Sequence, residues 1–478
     1  MKRNLIASVI GTAVSGIVAV ALVPLYVHFL GMEGFGLIAF HTSMSVVVTL
    51  LDLGFGAAVN REVARRGAHD GRGVVTAAQP LYAGIAFIIG AALFFLAPWM
   101  ATQWFSPREL SPETVTTTLR LLAAAVALRF PYGLYSSALL GAQRHVPLNI
   151  IVVTTAALRV TAALVLLSVL HADVRAIMAA ELVIAALQTL AAAALVFGVL
   201  PSGNQASLSA LWSFARGAAA IGILSGLVSQ VDKLVVSKVL PLATFGGYAV
   251  AVTIGAIVMT AMQPFHAAAF PRLTQLAARN EHEDAARLYS RATRTMAAIL
   301  FPLAVMAAVF MRELVALWSG SAALAEEIRV AAVLVVAGSA LYALTTLMYS
   351  LQLAHGWMTP SLVLNALALC VLLPVSAWSA LRFGAVGPAA TWCGVQAVVL
   401  AADAAATHRR LLPRYSWIRD VAPPLLASLL VAAAARLTID ALRPGSALTM
   451  AALLGTSGLL ALGAAALTAT RRSPAAPR

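Results

Sequence analysis

Residues Gly217–Leu240 read GAAAIGILSGLVSQVDKLVVSKVL. The run is almost entirely apolar, and as a helix it reaches roughly 36 Å, enough to cross a bilayer. Yet Asp232 and Lys233 lie well inside it, and Lys238 lies near its far end. An ionisable side chain at membrane depth costs at least about 2.5–3.5 kcal/mol on insertion scales, so such residues face a protein interior or a wet cavity. The run sits near the middle of the chain and echoes the first apolar stretch. That pairing points to a duplicated membrane bundle with a polar seam between its halves.

The rest of the chain is built alike. Of 478 residues, 61% are hydrophobic and 10% charged, with a mean hydropathy of +0.91. Soluble domains carry about 25% charged residues, so the chain reads as an integral membrane protein. A net charge of +14 fits nucleic acid or anionic lipid as a partner. Here the basic residues sit in short loops between apolar runs, which marks topology and excludes a nucleic-acid surface. Cys370 and Cys393 fall in apolar runs, so neither a disulfide framework nor a metal spacing is present. The first apolar run, Leu5–Leu30, is too long for a signal peptide and lacks a small-x-small cleavage site, so it reads as the first span.

Fourteen spans are expected: roughly 5–30, 36–60, 75–98, 118–142, 149–170, 176–199, 217–240, 245–270, 295–318, 330–354, 361–381, 388–407, 421–440 and 447–470. With a cytoplasmic N-terminus, the inside segments hold 20 Lys and Arg and the outside loops 5, the other 7 lying within spans. A bias of that size places both termini in the cytoplasm. Two inside segments, Arg61–Gly73 and Pro271–Arg294, are long enough for amphipathic helices on the membrane surface. Their basic residues would attract anionic head groups at about 1 kcal/mol each, unless the segments are plain solvated connectors.

An internal repeat supports the duplication. Residues 14–39 align without gaps on 224–249 at an offset of 210, with 7 identities in 26, among them Ser15-Gly16 on Ser225-Gly226 and Phe35-Gly36 on Phe245-Gly246. Six spans separate the copies, so both have the same orientation and the symmetry axis runs along the membrane normal.

The run Leu22–Arg66 resembles the opening of Wzx-type flippases for lipid-linked oligosaccharides, in the superfamily that also holds multidrug and toxin extrusion (MATE) transporters and lipid II flippases. The features that carry the resemblance are the turn Leu30-Gly31…Phe35-Gly36, the Leu51–Gly56 run LDLGFG and the basic tail Arg61-Glu62…Arg65-Arg66. The VSQVDKLVVSKVLPLATFGGYAV region is similar too, with Lys233 where arginine is commoner and Pro241 where glycine is usual. Further matches are Phe270–Asn280 and Ala138–Ile150.

The resemblance implies an all-α integral membrane protein with two six-helix lobes, 1–199 and 200–407, and two additional C-terminal helices and tail in 408–478. It implies a transporter of the polysaccharide branch, in the bacterial cytoplasmic (inner) membrane. One lobe would rock against the other to move a polyprenyl-diphosphate-linked oligosaccharide to the outer leaflet. The implied partners are that cargo, membrane lipids, a coupling cation (H⁺ or Na⁺) and polysaccharide polymerase machinery.

Such cargo requires binding and release, with no bond made. A diphosphate needs sheltered cations, and the arginine fork suits its oxygens best. Arg129 and Arg159 sit near the middles of the fourth and fifth spans. Each reads either as a cargo ligand or as a structural partner of a buried acid such as Glu181. Lys233 is the third candidate for substrate binding. Asp232 and Lys233 diverge by about 100° on a helix and need not face each other. By the resemblance, Asp232 would serve ion coupling, with Asn365 as an oxygen partner. Asp52 reads as a gate residue paired with a basic group, or as a plain cap. Lys238, Arg120, Arg312 and Arg436 lie nearer span ends and are expected to snorkel to head groups. Tyr132, Tyr135, Tyr342 and Tyr349 would stack on sugars or pack the core.

Enzymatic chemistry finds little support. The histidines show no zinc spacing, and P-loop and Gly-x-Ser-x-Gly motifs are missing, so neither metal nor cofactor is expected. A membrane polymerase or ligase would present a large outside loop, whereas Trp99–Thr117 is short and carries only Glu109 and Glu113. A MATE-like drug or cation exporter is the closer alternative. The seven basic residues inside spans, against six acids, favour an anionic cargo over it.

Overall fold

A chain that crosses lipid must satisfy its own backbone, because no water is present there to do so, and long apolar runs therefore become helices. The computed structural model describes residues 2–66, 71–201, 208–413, 415–442 and 446–470, and among them no β-strand occurs. The chain packs as two compact units, Met1–Ala249 and Val250–Arg478.

The first unit holds α1 (Lys2–Leu50), α2 (Phe55–Arg66), α3 (Gly71–Trp99), α4 (Pro112–Arg129), α5 (Tyr132–Gly141), α6 (His145–Ala163), α7 (Val174–Val199), α8 (Leu208–Val228) and α9 (Val231–Val239). Short π-helical turns extend α3 over Met100–Trp104 and α6 over Leu164–Val169. Helix α10 (Leu242–Ala278) crosses into the second unit. There follow α11 (His282–Val309), α12 (Met311–Ser319), α13 (Ala322–Ala354), α14 (Thr359–Phe383), α15 (Val386–Leu411), α16 (Ile418–Leu442) and α17 (Ala447–Thr470).

Large apolar side chains face outward: Phe87, Phe95, Leu381 and Leu448 are all mostly exposed. A water-facing surface would not carry them at this density, and lipid is their solvent. Among the described residues, eleven helices are long and apolar enough to cross a membrane. The first of these carries two expected spans in one helix kinked at Gly31, whose φ of 69° suits a residue without Cβ. The expected fourth and seventh crossings are assembled from broken helices.

Each break has a local cause. The second span ends in the turn Leu51–Gly54, where Gly54 has φ 79° and a Cβ would lie 2.7 Å from the Ala215 carbonyl oxygen. This accounts for the glycine of the LDLG run. Between α4 and α5, Pro131 has no N–H to donate, so the helix stops at Arg129. The carbonyl of Leu128, whose helical partner would be the Tyr132 N–H, accepts from Thr189 Oγ1 at 2.8 Å. Gly217–Leu240 is likewise not one continuous helix: it breaks at Ser229 and Gln230, between α8 and α9.

Buried carboxylates pin the connections. Glu33, 1% exposed, accepts from the backbone N–H groups of Arg108, Glu109 and Leu110 at 2.6, 3.0 and 2.9 Å. It fastens the loop before α4 to α1. In the second unit, Asp420 accepts from Ser290 Oγ at 2.5 Å and Tyr415 Oη at 2.6 Å, with Arg294 Nε at 3.2 Å. That network holds the start of α16 on α11, and Met306, Phe310, Ala432, Ile439, Leu454 and Ala461 form the apolar core beside it. The two C-terminal helices are thus integral to their unit.

Pro271–Arg294 does not form a separate surface helix. It is the end of α10, a turn and the beginning of α11. Of Arg61–Gly73, residues 61–66 close α2 and 71–73 open α3, while 67–70 lie outside the described residues. In the described part, Glu62 holds Arg65 Nη2 at 2.6 Å and Arg66 Nε at 2.8 Å. The hydrogen bond from Arg65 above all, then that from Arg66, pulls the Glu62 carboxyl down to about 2.

Candidate functional site

The break at Pro131 leaves Arg129 as the last residue of α4, where a cation also complements the helix dipole. Arg159 comes from α6 and Glu181 from α7, and the three meet. Arg159 Nε lies 2.8 Å from Glu181 Oε2 and Nη2 lies 2.9 Å from Oε1. Arg129 Nη1 reaches the same Oε1 at 3.4 Å. One carboxylate therefore serves two guanidinium groups, leaving the cluster with one surplus positive charge.

The side chains differ in access: Arg129 is 37% exposed, Arg159 22% and Glu181 11%. Around them, Tyr26 is in electrostatic range of Glu181 and Arg159, and His41 of all three. Tyr132 faces Gln188 and both arginines. His41 Nε2 and Gln188 Oε1 are buried and find no hydrogen-bond partner. Native interiors rarely leave such atoms unmatched.

Lys233 sits elsewhere in the unit's wiring. Because α8 breaks, Asp232 and Lys233 fall in the first turn of α9, and Lys233 Nζ turns back to the Ser229 carbonyl and to Asp232 Oδ1, the latter at 3.1 Å. Adjacent residues diverge on a regular helix, but a long lysine stem at a helix start can fold back, and here it does. Tyr248 of α10 donates to Asp232 Oδ2 at 2.6 Å. Both oxygens of this buried acid are engaged. Lys238 donates to the Gln103 carbonyl and lies 5.8 Å from the Trp104 ring.

Asp52 acts as a cap. Its Oδ2 accepts from Gly56 N–H at 2.8 Å in the first turn of α2, and its Oδ1 accepts from Tyr82 Oη. In the second unit, Asn365 Nδ2 donates to the Ser361 carbonyl of its own helix at 2.7 Å. Arg312 and Arg436 are paired, with Glu326 at 3.3 Å and Glu313 at 2.6 Å, while Arg120 lies over Phe94 at 5.1 Å. Tyr349 stacks with His266, and Tyr342 is tilted on Trp392.

Three groups, Glu33, Tyr248 and Gln352, went unmarked in the sequence. Glu181 was visible only as one possible partner, and its role as hub of both arginines needed the packing of α4, α6 and α7. Glu33 and Tyr248 gave no signal beyond a polar residue in an apolar run. The second unit also buries Gln352, which donates to Asp403 Oδ1 and to Thr407 Oγ1 and accepts from Ser361 at 2.8 Å. Among the described residues, no group of three or more His, Cys, Asp or Glu is placed to hold a metal ion.

The described residues form an all-helical chain with spans of membrane length and a part-buried basic cluster. Residues 25–326 match the family described as polysaccharide biosynthesis protein, and the chain belongs to that family. Its fold is similar to that of the lipid II flippase MurJ in an inward closed conformation, with a TM-score of 0.77 at 11% identity over 98% of each chain. It is also similar to an inward-facing multidrug resistance MATE transporter of the MOP superfamily (TM-score 0.68, 16% identity, 84% of this chain and 96% of that one). A MOP superfamily transporter from Pyrococcus furiosus, described as having a binding pocket of reversed polarity, aligns at TM-score 0.58 and 16% identity over 92% of this chain and 95% of that one. No curated protein is similar in sequence at a significant level.

Proposed function

We propose that this protein flips a polyprenyl-diphosphate-linked oligosaccharide from the inner to the outer leaflet of the bacterial cytoplasmic membrane, in support of surface-polysaccharide export. The observation that carries the reading is the pair of guanidinium groups sharing one carboxylate, Arg129 and Arg159 on Glu181. A part-buried site with surplus positive charge suits a polyanionic head group and repels a cationic drug. Membership of the polysaccharide biosynthesis family supports the same class of cargo.

In this reading Arg129 and Arg159 receive the diphosphate, and the lipid tail stays in the bilayer. Segments 1–199 and 200–407 are the moving lobes, both termini are cytoplasmic, and the protein is a carrier without bond-making chemistry. Lys233 contributes charge from α9 once released from Asp232, and Asp232 is the natural seat for a coupling cation. The test is complementation of a strain lacking this protein. Arg129→Ala and Arg159→Ala should reach the membrane yet fail to restore surface glycan. Normal export by both variants would sink the reading, and drug resistance on overexpression without a glycan defect on deletion would replace it with MATE-like export.

A further inference from the structure

The arginine fork of this site is already filled. Arg159 presents Nε and Nη2 to the two oxygens of Glu181 at 2.8 and 2.9 Å, the side-by-side geometry that a guanidinium also offers to phosphate. Arg129, the more exposed of the two cations, holds the same carboxylate only at 3.4 Å.

We infer that Glu181 is an internal competitor of the cargo anion: it occupies the fork while the carrier is empty and must be displaced before the head group can bind. The inference rests on the function proposed above and adds to it a rule for selectivity. A tethered carboxylate acts at an effective concentration of roughly millimolar or higher. A monoanion that ousts it exchanges one negative charge for another and gains nothing against so concentrated a rival. A diphosphate brings at least two charges, takes the fork of Arg159 and gives Arg129 a full partner. The site thereby rejects monoanions and admits polyanionic head groups.

Two further atoms fit the exchange. His41 Nε2 and Gln188 Oε1 are buried without hydrogen-bond partners. His41, in electrostatic reach of Glu181 and both arginines, can donate from Nε2 to an incoming phosphate oxygen or to the displaced carboxylate. Gln188 faces Tyr132, which itself faces both arginines. The site thus offers two buried polar atoms, His41 Nε2 and Gln188 Oε1, beyond the ion pair it holds.

The experiment uses the full chain in lipid nanodiscs, titrated calorimetrically with inorganic pyrophosphate and, separately, with the monoanion methanesulfonate. Wild type should bind pyrophosphate weakly and methanesulfonate not at all. Glu181→Gln should bind pyrophosphate about tenfold tighter and acquire measurable methanesulfonate binding. Should Glu181→Gln not fold, Glu181→Asp, shorter by one methylene, should still bind pyrophosphate several-fold tighter than wild type. Equal pyrophosphate affinity in wild type and the Glu181 variants, with binding lost in Arg159→Ala, overturns the competitor but leaves the arginine site standing. Absence of pyrophosphate binding in wild type and Glu181→Gln alike overturns both.

Discussion

Gly36 and Gly246 pack reciprocally: a Cβ on Gly36 would lie 2.9 Å from the Leu242 carbonyl oxygen, and one on Gly246 would lie 2.2 Å from that of Met32. The two contacts are related by the same offset of 210 that aligns the sequence repeat. The beginning of the second span and the beginning of α10 thus meet about a local twofold, each through the glycine of a Phe-Gly pair. A side chain at either position must push against backbone, which cannot yield as a flexible side chain can. We expect Gly246→Ala to destabilise the protein by about 1–3 kcal/mol, and Gly36→Ala by less, since its clash is milder. Thermal unfolding of the purified variants checks the order, and an inverted order would contradict the packing.

Stability and transport should separate at the two arginines. Removing Arg159 strips Glu181 of its bidentate partner, and breaking a buried pair costs about 3–5 kcal/mol. Arg159→Ala should therefore lower the unfolding temperature, and the double variant Arg159→Ala/Glu181→Ala should recover most of the loss without restoring export. Arg129 makes one long contact from a part-exposed position, and its removal should cost at most about 1 kcal/mol while export still fails. Unfolding temperature and surface-glycan assays read on the same variants distinguish these outcomes.

Asp52 is placed to cap α2 and to accept from Tyr82, and asparagine can keep both contacts with the second reversed, its oxygen accepting from Gly56 N–H and its Nδ2 donating to Tyr82 Oη. Asp52→Asn should keep fold and export near wild type. Asp52→Ala should lose about 1 kcal/mol for the cap and more for the orphaned, buried Tyr82 hydroxyl. Export lost in a stably folded Asp52→Asn protein would show that the charge itself is used, as a gate residue requires.

The Arg65 and Arg66 hydrogen bonds hold Glu62 at about 2, below the usual carboxylate range. A lowered folded-state value means the pair contributes its stability above the ordinary range, near pH 4.5, and loses it as the pH falls toward 2. The difference in unfolding temperature between wild type and Glu62→Gln should hold constant from pH 8 to 5 and shrink below that. A difference that grows on acidification would contradict the pairing.

Asp420 ties Ser290 and Arg294 of α11 to the start of α16, and burial, with Tyr289 and this carboxylate alongside, pushes the Tyr415 hydroxyl well above its usual range. Asp420→Ala leaves Arg294 without this carboxylate and should cost about 3–5 kcal/mol. Limited proteolysis should then cut between α15 and α16 first.

Much of this molecule was legible one residue at a time. Apolar runs of bilayer length and the Lys and Arg bias of the loops mark an all-helical membrane chain, and the 210-residue echo points to a duplication, because hydrophobic length and charge placement are local quantities. The turn at Leu30-Gly31…Phe35-Gly36 was readable too, whereas the close approaches of Gly36, Gly54 and Gly246 needed the packing. Where helices break was less so: the continuous apolar reading of Gly217–Leu240 hid the interruption at Ser229 and Gln230 that turns Lys233 back onto Asp232. Which acid neutralises which base was beyond sequence altogether. Arg129, Arg159 and Glu181 are separated by 30 and 22 residues and come from three helices. Only packing sets the few ångströms that decide whether a buried arginine is free, shared or fully matched, because the energy of a charge in a low-dielectric site depends on its neighbours in space.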